Sequence, residues 1–232
     1  SWGYRYEKAD VFNIPATAAE TIQQSAGKHI TSGMGVTLRR DNRNRRFNPT
    51  EGSDTTLSFE YVGGILGGTS DFTRYILDSG WFFPLPWGES HVFFARGKIG
   101  FIREMADGNL PIFEKFYLGG MDNIRGFRWG SVGPKDPVTG EFIGADKMVF
   151  FNFEYNFPLF KDIGLTGVVF FDTGNGYLNS ESMGISSFRK SAGVGLRYYS
   201  PFGPLRLEWG YVLDPKPGEE RGIWEFTMGS FF

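Results

Sequence analysis

The 232 residues carry a formal net charge of -2, contain no cysteine, and are 41% hydrophobic and 18% aromatic, with 33 glycines. That balance leaves no global basic field for nucleic acid, and the missing cysteines exclude disulfide staples, thiolate zinc sites and cysteine nucleophiles. No stretch approaches the roughly 18 apolar residues of a membrane-spanning helix, and a bias to aromatics and glycine suits bent strands better than helix bundles.

In chain order, the opening stretch alternates at once: Trp2, Tyr4 and Tyr6 fall on one face, Gly3, Arg5 and Glu7 on the other. It lacks the basic and apolar regions of a signal peptide and reads as the middle of something longer. A loop over 12–27 leads to a strand at 28–41 and then to the basic turn Arg39-Arg40-Asp41-Asn42-Arg43-Asn44-Arg45-Arg46. The next strand, 54–63, sets Leu57, Phe59 and Tyr61 against Thr56, Ser58 and Glu60. Strands at 71–84 and 90–105 flank the short turn Pro84–Glu89, and a stretch of about 41 residues, 106–146, follows, too long for a simple connector.

Beyond it, 147–158 carries Val149, Phe151, Phe153, Tyr155 and Phe157 on one face and Asn152, Glu154 and Asn156 on the other. Strands at 163–176, 190–200, 204–213 and 223–232 complete a set of ten. The clearest, Leu205 to Tyr211, sets Leu205, Leu207, Trp209 and Tyr211 against Arg206, Glu208 and Gly210. Short turns alternate with long loops, and several strands approach the 9–11 residues that cross a bilayer at a tilt.

A soluble β-sandwich also alternates, but its inward face is dry. Here the polar face holds Arg74, Asp78, Arg96, Lys98, Glu154, Arg197, Arg206 and Glu208. Such charges are costly in a dry core and natural in a wet lumen. The fold class is therefore an all-β, transmembrane antiparallel β-barrel. His29 and His91 stand far apart without companion motifs, so no enzyme, metal site or cofactor is expected.

Residues 110–134 contain Phe116-Tyr117-Leu118-Gly119-Gly120, then Ile124-Arg125-Gly126-Phe127, then Gly133-Pro134. This resembles the longest extracellular loop of the BamA class of outer-membrane assembly proteins. Phe170-Phe171-Asp172-Thr173-Gly174 is similar to the family's aromatic-x-Asp-x-Gly strand, and Ser200-Pro201-Phe202-Gly203-Pro204 to its late turn. Arg40-Asp41 with Phe47-Asn48-Pro49-Thr50-Glu51-Gly52 resembles a periplasmic turn of the family, and the chain ends on an aromatic, Phe232. The resemblance implies that residues 1–232 are the C-terminal part of a sixteen-stranded barrel, strands seven to sixteen. The periplasmic POTRA domains and the first six strands lie outside this sequence.

The resemblance also implies that the long loop folds back into the lumen, where Arg125 pairs with acidic groups of the wall. Strand parity turns Asp172 and Glu154 inward, as carboxylate receptors for a planar guanidinium. Gly126 allows close backbone approach, Phe127 packs beside it, and Gly119, Gly120, Phe170 and Gly174 support the site. The bland alternative is a solvated loop arginine.

In the last strand, Trp224, Phe226, Met228 and Phe232 form the outward set, and Gly229 permits a kink. The family implies a weak seam there that pairs with client strands; the alternative is a strand that only closes the barrel. The basic turn reads as a solvated, topology-setting element, with contact to POTRA domains or anionic lipid as the alternative. The implied function is insertion and folding of outer-membrane proteins in the bacterial outer membrane. Its partners are unfolded clients, lipid, accessory lipoproteins and periplasmic chaperones, with no nucleic acid. A two-partner-secretion-type translocation pore and a passive porin-like channel remain as rivals.

Overall fold

The computed structural model describes residues 1–88, 90–105, 110–200 and 203–229. Ten strands form one antiparallel sheet in strict chain order. They are β1 (Trp2–Val11), β2 (Gly27–Asp41), β3 (Gly52–Val62), β4 (Phe72–Pro84), β5 (Val92–Glu104), β6 (Lys147–Phe160), β7 (Leu165–Tyr177), β8 (Arg189–Ser200), β9 (Gly203–Val212) and β10 (Gly222–Met228). One short helix, α1 (Glu20–Gln24), lies in the β1–β2 loop.

All ten strands read from the alternation are present, and the differences lie at their ends. The seventh begins at Leu165 rather than 163, because Lys161–Ile163 forms a 3-10 turn closed by Gly164 in the left-handed region at φ 71°. The tenth is described only to Met228, and Gly229, at φ 128°, turns away from the strand line. Pro201, Phe202, Ser230, Phe231 and Phe232, with the readings placed on them, lie outside the described residues.

Neighbouring strands meet in continuous registers, such as Asn152↔Asp172, Asp172↔Ser191 and Ser191↔Val212, broken by one shift between Pro158 and Phe160 at the end of β6. Successive side chains therefore point to opposite faces along these registers. On the outer face Trp2, Leu38, Leu77, Phe153, Leu207 and Trp224 are exposed, an apolar and aromatic surface that suits lipid. The charged inner face is filled by the β5–β6 loop. Its Phe116, Leu118, Ile124, Phe127 and Val132 pack on Met148, Phe150 and Val212 of the wall.

Among the described residues β1 pairs only with β2, and β10 only with β9, so the sheet is an arc and not a closed cylinder. Its curvature is nonetheless barrel-like. The same loop touches Arg5 on β1 through Glu114 and Gly210 on β9 through Gly126.

Candidate functional site in the lumen

The register sets up the site before any side chain is placed. Reading across from β6 to β9, Glu154 lies opposite Phe170, Phe170 opposite Gly193, and Gly193 opposite Gly210. A side chain at Gly193 would strike the Phe170 ring at 2.4 Å, so the glycine lets that ring lie flat along the wall. Gly210 clears the far end of the row. A Cβ there would come within 2.4 Å of the Gly126 nitrogen, and one on Gly126 within 2.9 Å of the Gly210 carbonyl carbon. Loop and wall thus meet backbone to backbone, with Gly126 at φ 85°.

That close approach delivers Arg125 into the wall, where it is 1% exposed. Its Nε and Nη2 donate to the two oxygens of Asp172, each at 2.7 Å, and its backbone N–H donates to Asp172 Oδ2 at 3.0 Å. Nη1 donates to Glu154 Oε1 and to Glu208 Oε2, both at 2.7 Å. The guanidinium carbon stacks 3.7 Å from the centre of the Phe170 ring. A forked guanidinium–carboxylate pair combined with ring stacking is a geometry that lysine cannot reproduce.

The carboxylates are themselves held. Arg197 donates to Glu154 at 2.8 Å and to Glu208 at 2.9 Å, Arg206 donates to Glu208 at 3.0 Å, and Asn152 donates to Asp172 at 2.8 Å. Burial alone would lower the pKa of Arg125, but the charges of Asp172, Glu154 and Glu208 outweigh it and raise the value. The loop arginine therefore stays charged, and its removal would strand buried carboxylates.

The motif residues around Arg125 shape the turn. Ile124 is fully buried, and Phe127 is buried beneath the Arg189 guanidinium, 4.7 Å from its ring centre. Gly120 N–H donates to the Phe127 carbonyl at 2.8 Å, and Gly119 N–H donates to the Asn123 side chain. Gly119 and Gly120 sit at φ 109° and 95°. At Gly174 a Cβ would meet the Val149 carbonyl oxygen at 2.4 Å. The predicted set of Ile124, Arg125, Gly126, Phe127, Glu154, Phe170 and Asp172 thus converges. Trp224, Phe226 and Met228 do not join it; they are exposed on the opposite, lipid-side face. Gly229 lies beyond the strand, its N–H donating to the Pro204 carbonyl at 3.0 Å.

Two features escaped the sequence reading. Glu208, Arg197 and Arg206 stood on the polar face by parity, but only the register shows that they share carboxylates with Arg125. A second cluster holds the other end of the loop. Glu114, on the 3-10 turn Ile112–Glu114, accepts hydrogen bonds from Arg74 at 2.7 Å, Arg5 at 3.1 Å and Thr31 at 3.3 Å, while Glu60 braces both arginines. Burial would raise the pKa of Glu114, but the bonds from Arg5 and Arg74 hold it below the ordinary value. A lone glutamate on a loop turn carries no alternation signal that could have marked it.

The basic turn is also less solvated than expected. Arg43 is nearly buried and forks onto Asp41 at 2.7–2.8 Å, while Arg39 pairs with Asp54, so acidic neighbours neutralise part of it. Arg40, Arg45 and Arg46 remain exposed.

Compared with known proteins, the whole chain, residues 1–232, matches the family model of the Omp85 superfamily domain. It is 36% identical over 234 residues to the outer membrane protein assembly factor BamA of Nitratidesulfovibrio vulgaris, an alignment covering 100% of this chain and 29% of that protein. BamA of Neorickettsia risticii is 25% identical over 236 residues, covering 99% of this chain and 31% of the relative. The chain therefore spans under a third of the length of these curated relatives. Among solved structures, BamA from Haemophilus ducreyi lacking POTRA domains 1–3 superposes with a TM-score of 0.80 at 20% identity, covering 97% of this chain and 49% of that one, a likeness of fold.

Proposed function

This chain belongs to the Omp85 superfamily, and from that premise we propose that it is barrel wall and lumen loop of an outer-membrane protein assembly factor. The protein receives unfolded outer-membrane proteins and promotes their folding into the bilayer. Accessory lipoproteins and periplasmic chaperones deliver those clients, and lipid is the surrounding solvent. No bond is made or broken, because the work is to lower a kinetic barrier.

The observation that carries this reading is the 36% identity, over the whole of this chain, to part of a BamA assembly factor, in a chain whose Arg125 loop is locked inside the wall. The loop packed on this wall argues against a passive channel, since Phe116, Leu118 and Phe127 cover the inner side of the arc. At the end of the arc, β10 shows Trp224, Phe226 and Met228 to lipid, and the strand that would lie on its other side falls outside this sequence. Backbone groups at a strand edge in lipid must find partners, so β10, wherever it parts from that neighbouring strand, is a template for an incoming strand. Asp172, Glu154 and Arg125 then hold the loop as a rigid strut while the edge works.

The test is reconstitution of the protein at its native length into liposomes, with a urea-unfolded outer-membrane protein as client. Folding of the client is expected to run faster than in empty liposomes. Equal rates in both would overturn the reading.

A further inference from the structure

β10 carries one charged residue, Glu225, and it points inward between the outward Trp224 and Phe226. In the β9–β10 register it lies directly opposite Glu208, the carboxylate that holds Arg125 from β9. The Glu225 carboxylate lies toward the Gly126 backbone N–H, in the middle of the motif. Its Oε1 also lies 3.6 Å from the position a Cβ would take on Gly120, so it sits where the two glycine turns of the loop come together. Its Oε2 is buried without a hydrogen-bond partner.

A buried carboxylate placed beside another one is unfavourable unless it holds something. Here the thing held is the loop backbone. We infer that Glu225 is a positioning residue that couples the terminal strand to the lumen loop. While β10 lies against β9, Glu225 caps the Gly126 N–H, and when β10 moves aside the motif loses that acceptor. The inference rests on the reading of β10 as the strand that clients meet, and it extends that reading by giving the edge a direct line to the loop. The Arg125 lock contains no residue of β10, so without Glu225 the edge could move and leave the motif unaffected.

The test compares Glu225→Ala with Glu225→Gln in the protein at its native length, in outer-membrane vesicles. The readout is amide hydrogen exchange of the peptide spanning Ile124–Phe127. Loss of that acceptor should speed local exchange by about tenfold in Glu225→Ala. Glu225→Gln keeps a carbonyl acceptor and should stay within about threefold of the unchanged protein. Unchanged exchange in Glu225→Ala overturns the coupling, as does a Glu225→Gln variant that exchanges as fast as Glu225→Ala. The measurement needs no client, so it stands apart from the reconstitution assay. Slow client folding with normal exchange counts against this inference and leaves the assembly reading untouched.

Discussion

The β5–β6 loop is held at two places by the same chemistry with its sign reversed. At one, the loop supplies a cation, Arg125, to an anionic wall built by β6, β7 and β9; at the other it supplies an anion, Glu114, to a cationic wall built by β1 and β4. Their surroundings differ more than their bonds. Arg125 is buried together with its three carboxylate partners, whereas Arg5, Arg74 and Glu60 around Glu114 keep part of their surface in the wet lumen. Burial decides what each lock is worth. A sealed charge left without its partner has nowhere to turn, and a lumen-exposed one can rehydrate.

That contrast orders the expected effects. Arg125→Ala should loosen the loop most, by about 3–5 kcal/mol, because Asp172, Glu154 and Glu208 would be left buried around an empty place. Limited proteolysis within residues 110–146 reads this directly, and cleavage as slow as in the unchanged protein would show that the loop is held elsewhere. Arg125→Lys tests the geometry at constant charge. It should recover only part of the protection, since an ammonium cannot fork onto Asp172 while lying on Phe170. Glu114→Gln should cost less, about 1–3 kcal/mol, and open cleavage sites near Ile112 before those near Arg125.

Acid separates the two locks without a mutation. The pKa of Glu114 in the folded loop lies below its ordinary value of 4.5, so its stabilisation is complete above that value and is lost as the pH falls through the lower, folded one. Protection around Ile112–Glu114, monitored by hydrogen exchange, should therefore hold from neutral pH down to 4.5 and fade only below it, and Glu114→Gln should remove this dependence. The smallest effect belongs to the Arg128–Glu220 pair at the loop rim, whose side chains are 72% and 50% exposed. Glu220→Gln there should leave protection of the loop unchanged, as exposed ion pairs usually do.

The strands were legible because period-two alternation is a local property, and it survives in a sheet wet on one face and lipid-covered on the other. The same parity turned Asp172 and Glu154 toward the lumen, and Trp224, Phe226 and Met228 away from it. What parity does not contain is register. Glu208 comes from a strand 83 residues beyond Arg125, and only the pairing of β6 through β9 brings it to the same guanidinium. Glu114 and Glu225 were illegible for different reasons. Glu114 sits on a turn with no period, and Glu225 faces inward on a strand read chiefly for its outward aromatics and Gly229. The glycines at 193 and 210 carry a message visible only in three dimensions, where they clear the path along which the loop meets the wall.

The central claim is that direct pairing between Arg125 and the wall holds the loop in the lumen. Reversing the charges tests it most directly. In Arg125→Glu, proteolysis within residues 110–146 should become fast, and adding Asp172→Arg should slow it again. Recovery will be partial, because Asp172 also accepts the Arg125 backbone N–H and Glu154 and Glu208 remain beside the new glutamate. A double variant cleaved as fast as Arg125→Glu alone would contradict direct pairing.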